Sequence, residues 1–226
     1  MSVFAGPGVV TSGLIFYVDA GDPKSYPGSG TSWFDLSGNG YTQTLNNAPA
    51  YDSRNGGVIT FDRTNNNKSA TTTGAPVPAV TAYTLSVWIN HIALPPGTGR
   101  YLSLLGAAEY GVIRDQGGAG QLHFYYTTSG TLKLGYTVNG ELVANQWYNI
   151  VGTFNGTTAT LYKNCVVMGS PQTPGGVLDT GPFNIYLSMS TEAMGGYMAA
   201  AKVYNRALSA AEISQNFNAL RGRFGI

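Results

Sequence analysis

The side chains best suited to recognition chemistry fall in the middle of this chain: His91, then Arg114, Asp115, His123, Tyr125 and Tyr126, with Trp88 just upstream. Aromatic faces stack on apolar C–H surfaces, while imidazole, guanidinium and carboxylate groups hydrogen-bond to hydroxyls. The set therefore suits a polyhydroxylated ligand such as a sugar, and His91, Arg114, Asp115, His123 and Tyr125 are the candidate ligand-binding residues. Extended backbone sends Tyr125 and Tyr126 to opposite faces, so at most one of them meets a ligand. Trp88 and Trp147 are expected in the core.

Other chemistries are poorly served. Retaining glycoside cleavage needs two carboxyl groups roughly 5 Å apart, but Asp19, Asp22 and Asp115 stand in turn-rich contexts where a carboxylate caps or turns the chain. No Gly-x-Ser-x-Gly elbow is present. No catalytic residue is assigned, and the chain is expected not to be an enzyme. Cys165 is the only cysteine, and His91 and His123 are the only histidines, which excludes a disulfide framework and makes zinc unexpected. Cys165 is expected to be inert and partly buried.

Charged residues make up 10% of the 226 residues, far below the roughly 25% of an ordinary soluble domain, so solubility rests on uncharged polar groups. Net charge is +1 without clustered Lys or Arg, which is not the footprint of a nucleic-acid binder or of a protein held on an anionic membrane surface. Met1 to Ser12 lacks the charged and apolar regions of a signal peptide. It is expected to form an arm that frays or orders against a neighbouring subunit.

The elements that must position these residues are short β-type runs closed by turn residues: Leu14 to Val18, Val58 to Phe61, Tyr83 to Asn90, Tyr101 to Leu105, Gln121 to Tyr126, Lys133 to Val138, Tyr148 to Phe154, Thr158 to Lys163 and Met198 to Tyr204. Asn139-Gly140 and Asn155-Gly156 predict tight hairpins. Alternation in Tyr148 to Phe154 predicts a half-buried strand. Residues 21–57 predict ordered loops pinned by Trp33, Leu36 and Tyr41, and the Pro-containing stretches 63–80 and 169–182 predict little regular pairing. One helix is signalled. Ser209 and Glu212 can form a capping box, Leu208 and Ile213 a hydrophobic staple, and Ile213, Phe217 and Leu220 an apolar stripe, with Gly222 suited to the residue after the helix.

Three blocks, in order, carry a family resemblance. The first is Gly13-Leu14-Ile15-Phe16-Tyr17-Val18-Asp19-Ala20-Gly21 with Ser25-Tyr26-Pro27-Gly28, Trp33, Asp35-Leu36-Ser37-Gly38-Asn39-Gly40 and Phe61-Asp62. The second is Asn145-Gln146-Trp147-Tyr148-Asn149-Ile150-Val151-Gly152-Thr153-Phe154-Asn155-Gly156 with Leu161-Tyr162-Lys163-Asn164. The last is Gly195-Gly196-Tyr197, Val203-Tyr204 and Asn205-Arg206-Ala207-Leu208-Ser209-Ala210-Ala211-Glu212-Ile213. Together they resemble the laminin-G-like branch of the concanavalin A-like lectin and glucanase superfamily. That resemblance implies an all-β fold, a two-sheet antiparallel jelly-roll sandwich with one short C-terminal α-helix, occupying residues 13–226 after the arm 1–12.

The wording of the first and last blocks is similar to modules of tailed-phage structural proteins. It implies a non-enzymatic virion protein of capsid, neck or tail, assembled in the host cytoplasm and exposed on the particle. Its expected partners are other virion proteins, a second copy of itself and host-surface glycans. The alternatives are a free carbohydrate-binding lectin and a polysaccharide-degrading enzyme, the latter without the Glu-x-Asp-x-x-Glu of the glucanase branch. Jelly rolls of this kind often hold Ca2+, for which the oxygen ligands would be Asp35, Asn39, Asp62 and Asn65; no other cofactor is expected. Two departures stand out. Phe61-Asp62-Arg63-Thr64-Asn65-Asn66-Asn67 lacks the glycine and second acid that relatives carry there, and Asn164-Cys165 replaces their Asn-Gly, predicting an altered hairpin.

Overall fold

The structure, a computed structural model, describes residues 7–63, 68–72, 75–93, 97–107, 109–116, 120–138, 140–173, 175–179 and 181–226. Strands are numbered in chain order. Sheet A comprises β1 (Leu14–Asp19), β4 (Ala50–Asp52), β5 (Val58–Phe61), β7 (Tyr83–His91), β12 (Trp147–Phe154), β13 (Ala159–Lys163), β14 (Val166–Val167) and β16 (Gly196–Tyr204). Sheet B comprises β2 (Ser32–Trp33), β3 (Gln43–Asn46), β6 (Ser69–Thr72), β8 (Gly99–Leu105), β9 (Glu109–Gln116), β10 (Gln121–Thr128), β11 (Thr131–Val138) and β15 (Asn184–Leu187). Pairing within each sheet is antiparallel. The order is β14-β13-β12-β7-β16-β5-β4 in sheet A, where β1 also pairs with β16, and β11-β10-β9-β8-β15-β6-β3-β2 in sheet B. This is a two-sheet jelly-roll sandwich.

Each run expected to be extended falls on a strand. The inward residues of both sheets meet in one core, including Phe16, Ile59, Tyr83, Leu85, Val87, Ile89 and Ile150 from sheet A and Leu45, Leu102, Leu104, Ile113, Leu122, Phe124 and Ile185 from sheet B. Two glycines let the sheets close. A Cβ on Gly152 would lie 2.8 Å from the ring of Phe124, and one on Gly111 would lie 2.8 Å from the ring of Tyr83.

The closing helix α1 (Ala210–Leu220) begins with the expected capping box: Ser209 Oγ accepts from the Glu212 N–H at 3.3 Å, and Glu212 Oε2 accepts from the Ser209 N–H at 2.9 Å. Arg206 adds a bidentate pair to Glu212 at 2.9 and 2.6 Å. Leu208 and Ile213 are buried together with Val10, Val151, Tyr162 and Tyr204. Further along, Phe217 and Phe224 lie on Trp88, and Phe224 also meets Trp147. α1 thus covers the outer face of sheet A, and Trp88 and Trp147 are buried there rather than between the sheets. The arm residues Gly8 and Val10 are held on the same helix, Val10 donating to Asn216 Oδ1 at 2.8 Å and Gly8 accepting from Gln215 Nε2 at 2.8 Å.

Several local expectations are revised. β12 is buried along its whole length because the core takes one face and α1 covers the other. The Asn139-Gly140 segment joins β11 of sheet B to β12 of sheet A, so it crosses between sheets and is no hairpin; Asn139 lies outside the described residues. Asn155-Gly156 does close a hairpin, but through a four-residue loop in which Asn155 Oδ1 accepts from the N–H groups of Thr157 and Thr158. At Asn164-Cys165 the tight hairpin survives: both residues have positive φ, 50° and 60°, between paired Lys163 and Val166, the pairing a type I′ turn needs. Gly222 does not end α1 in a left-handed conformation, because the chain continues into a 3-10 turn, Arg221–Arg223. Short polar strands β2, β3 and β4 occupy the stretch expected to be loops, and β6 sits inside sheet B within the Pro-containing stretch.

Candidate functional site

With sheet A covered, the outer face of sheet B is the broad sheet surface left for recognition. Strand register builds it in rows. One row runs Thr44, Thr71, Tyr186, Ser103, Val112 and Tyr125, and the next holds Arg100, Arg114 and His123. Three of the sequence candidates, Arg114, His123 and Tyr125, therefore share one face. The Arg114 guanidinium lies 4.1 Å from the centre of the Tyr125 ring. His123 Nδ1 is 2.8 Å from the Tyr125 hydroxyl, and His123 Nε2 is 3.4 Å from Gln121 Oε1. The Gln121 oxygen can only accept, so Nε2 carries the proton and Tyr125 donates to Nδ1. Burial, helped by Arg114, lowers the His123 pKa, which keeps that imidazole neutral.

Arg100, Ser103, Gln121 and Glu192 complete the face, and sequence inspection did not find them. Arg100 is 8% exposed and is held between Glu192 and Glu109, the latter at 2.6 Å. Glu192 also lies 3.7 Å from Arg114. Among the described residues, Arg100 Nη1 and Ser103 Oγ are buried without a hydrogen-bond partner. Unpaired buried donors of this kind cost about 1–3 kcal/mol each.

His91 and Asp115 point the other way. Alternation along β9 turns Asp115 inward when Arg114 faces out, and both residues are buried between the sheets, 0% and 2% exposed. His91 Nε2 is 2.7 Å from the Tyr101 hydroxyl, and His91 Nδ1 is 3.2 Å from the Gly195 carbonyl. Asp115 neighbours Tyr101, and burial together with that carboxyl group raises the Tyr101 pKa. Burial pushes Asp115 up to about 7, against the pull of Arg63. Burial takes His91 down to about 4, with Arg63 lowering it further against the Gly195 hydrogen bond. Gly99 makes room for this cluster, since a Cβ there would collide with Asp115 Oδ1. Tyr126 is buried in the core, and Tyr125 is the member of that pair facing out.

The oxygen groups considered for calcium are committed elsewhere. Asp35 accepts from the N–H groups of Tyr17, Ser37 and Tyr41 and from the Ser37 hydroxyl. Asn39 turns its amide nitrogen to the Ile15 carbonyl at 3.1 Å. Asp62 faces Lys68 at 3.8 Å, and Asn65 lies outside the described residues. Asp35 and Asn39 thus organise a loop against β1 and do not fit a calcium shell. Among the described residues no three His, Cys, Asp or Glu side chains converge in a way that could hold a metal ion. No helix among them is long and apolar enough to cross a membrane.

A jelly roll with one sheet sealed by a helix and the other presenting an aromatic and polar face belongs to the lectin-like class of sandwiches. The chain is a member of the concanavalin A-like lectin/glucanase superfamily, whose laminin-G-type model matches residues 62–214. A search of curated proteins finds no sequence match. The fold is similar to the receptor-binding domain of botulinum neurotoxin type G (TM-score 0.68, 12% identity, 91% of this chain and 51% of that one). It is also similar to Trypanosoma rangeli sialidase in complex with the inhibitor DANA (0.65, 17%, 96% and 34%). Domain 4 of the extracellular arabinanase AbnA of Geobacillus stearothermophilus, in complex with arabinotriose, aligns over nearly its whole length (0.68, 15%, 91% and 98%). The chain spans about half of the neurotoxin domain and about a third of the sialidase.

Proposed function

We propose that this protein is a non-enzymatic glycan-binding module and that the outer face of sheet B is its contact surface. The observation that carries this reading is the grouping of Tyr125, Arg114, His123 and Gln121 on one face, with the Arg114 guanidinium 4.1 Å from the centre of the Tyr125 ring and His123 2.8 Å from the Tyr125 hydroxyl. Sugar hydroxyls would find donors and acceptors among these groups, and Tyr125 offers ring area for stacking. Two guanidiniums meet two carboxylates here and His123 is neutral, so the face is close to charge-balanced. Such a face supplies donors and acceptors together, which suits a neutral oligosaccharide better than an acidic one. An anionic sugar would have to displace Glu192 from the arginines. Support by analogy of fold comes from the arabinanase domain, crystallised with arabinotriose.

The non-catalytic part of this reading rests on where these carboxylates are spent: Glu109 and Glu192 are both engaged by Arg100, so they do not stand as a free pair flanking a scissile bond. On the resemblance of its first and last blocks, we assign the module to the exterior of a tailed-phage particle, where it would meet host-surface glycans. A glycan array followed by calorimetric titration tests the binding reading. Neutral oligosaccharides should bind, Tyr125→Ala and Gln121→Ala should each weaken binding about tenfold, and both variants should keep the wild-type melting temperature to within a few degrees. An array without hits, or affinity unchanged in both variants, overturns it. Cryo-electron microscopy of the source particle tests the virion assignment, which fails if no copy is found.

A further inference from the structure

We infer that the ligand of this protein is a linear, uncharged oligosaccharide lying across the strands of sheet B, with one sugar on Tyr125 and another on a second platform, Tyr186. This rests on the reading of the sheet B face as the contact surface and extends it to the other half of the sheet. Strand register puts the two rings in line. Tyr186 stands between Ile185 and Leu187, both in the core, so its own side chain is on the outer face. Tyr186 pairs with Ser103 of β8, Ser103 with Val112 of β9, and Val112 with Tyr125 of β10. Two half-buried tyrosines therefore share one row, three strand steps or about 14 Å apart. Ser103 and Val112 between them are fully buried, so a chain crossing here meets the rings rather than the strands beneath.

Past Tyr186 the same row continues through Thr71 of β6, Thr44 of β3 and Ser32 of β2, each of them half-buried. Asn46, two positions along β3 from Thr44 and so on the same face, donates through Nδ2 to Thr71 Oγ1 at 3.3 Å. Thr71 is left with its hydroxyl proton to donate, and Asn46 with Oδ1 to accept. Ring area, donors and acceptors thus run on from Tyr186 without a charge among Ser32, Thr44, Asn46 and Thr71. An acidic sugar has no cation to pair with in this half, whereas a neutral one finds both partners its hydroxyls need.

The dimensions of the face set the direction of the chain. β3, β6 and β15 are four residues long, about 13 Å at the usual rise of a strand. From β10 to β2 there are six strand steps, about 29 Å at the usual spacing. The long axis therefore runs across the strands, along the row of tyrosines and threonines. One sugar can meet only one ring, since stacked partners lie within about 4.5–7 Å of each other. Reaching both takes an extended oligomer, so chain length is what this face selects.

Calorimetric titration of the whole chain with linear arabino-, cello- and malto-oligosaccharides, each from monomer to hexamer, tests this. In a ladder that binds, affinity should climb about tenfold between dimer and hexamer. Tyr186→Ala and Thr71→Val should flatten that climb and leave the dimer at its wild-type affinity, whereas Tyr125→Ala should weaken every length. Nuclear magnetic resonance reads the same contact without a substitution: backbone amide signals of β6 and β15 should shift with the hexamer and stay still with the dimer. Affinity independent of length, a climb that survives in both variants, or hexamer shifts confined to β9 and β10 overturns the second platform while the reading of the Tyr125 half stands. Absence of binding across all three ladders overturns both.

Discussion

Gly152 of sheet A lies against the ring of Phe124 in sheet B, so close that a methyl group on Gly152 would stand 2.8 Å from Phe124 Cε2. Gly111 of sheet B meets the ring of Tyr83 in sheet A in the same way, and the two rings sit edge to face with centroids 6.2 Å apart. The sheets therefore interlock reciprocally, each contributing one aromatic and one gap.

Gly152→Ala is expected to cost about 1–3 kcal/mol, the usual effect of overpacking a filled core. Chemical denaturation measures it, and the smaller Phe124→Leu should recover part of the loss when combined with it. Wild-type stability in the single variant would show that the sheets yield easily.

The α1 staple gives a second prediction. Leu208 and Ile213 are 4% and 1% exposed, so replacing either with Ala should lower stability by about 2–5 kcal/mol. The Arg206 guanidinium, with the Ser209 N–H, holds Glu212 down to about 2. A carboxylate with a depressed folded pKa stabilises above its unfolded value and loses that contribution as pH falls through its folded one. Wild-type stability should accordingly decline between about pH 4.5 and 2, with a visibly flatter decline in Glu212→Gln.

Lys202 is buried on the outer side of sheet A, its ammonium 4.4 Å from the centre of the Tyr17 ring, and burial lowers it to about 8. Its folded pKa lies below the unfolded one, so stability rises as pH climbs from about 8 toward 10.5. Lys202→Met removes the buried charge and is expected to stabilise the protein at neutral pH by about 1–4 kcal/mol. The advantage over wild type should shrink above pH 8, as pH-dependent denaturation curves would reveal.

Asn164 holds the hairpin after β13 in two ways: it adopts positive φ, and its Oδ1 accepts from the Asn149 N–H at 2.9 Å. Asn164→Ala loses both and should cost about 1–2 kcal/mol. Asn164→Gly loses only the hydrogen bond and should fall between them in a denaturant titration.

What could be read from sequence follows from how local each signal is. The capping box, the staple and the strands rich in β-branched and aromatic residues depend on neighbours in the chain, and they were legible. β9 was not, because Gly111 looks like a break until the Tyr83 ring is seen to need its missing side chain. β3 and β6 are short and polar, and only pairing with each other and with β15 makes them strands. At the candidate site, Arg114, His123 and Tyr125 were found because they sit on adjoining strands. Alternation on β9 that sends Asp115 inward was readable in principle. The roles of Arg100, Ser103 and Glu192 depend on register across β8, β9 and β10 and on a loop some seventy residues further along, a relation no local pattern encodes.

The segment around Val10 and the last turn around Phe224 both lie on the helix-covered back of the molecule. Anything tethered through either region would hang behind the sandwich. A partner that met either segment would approach from that side and leave the sheet B face uncovered.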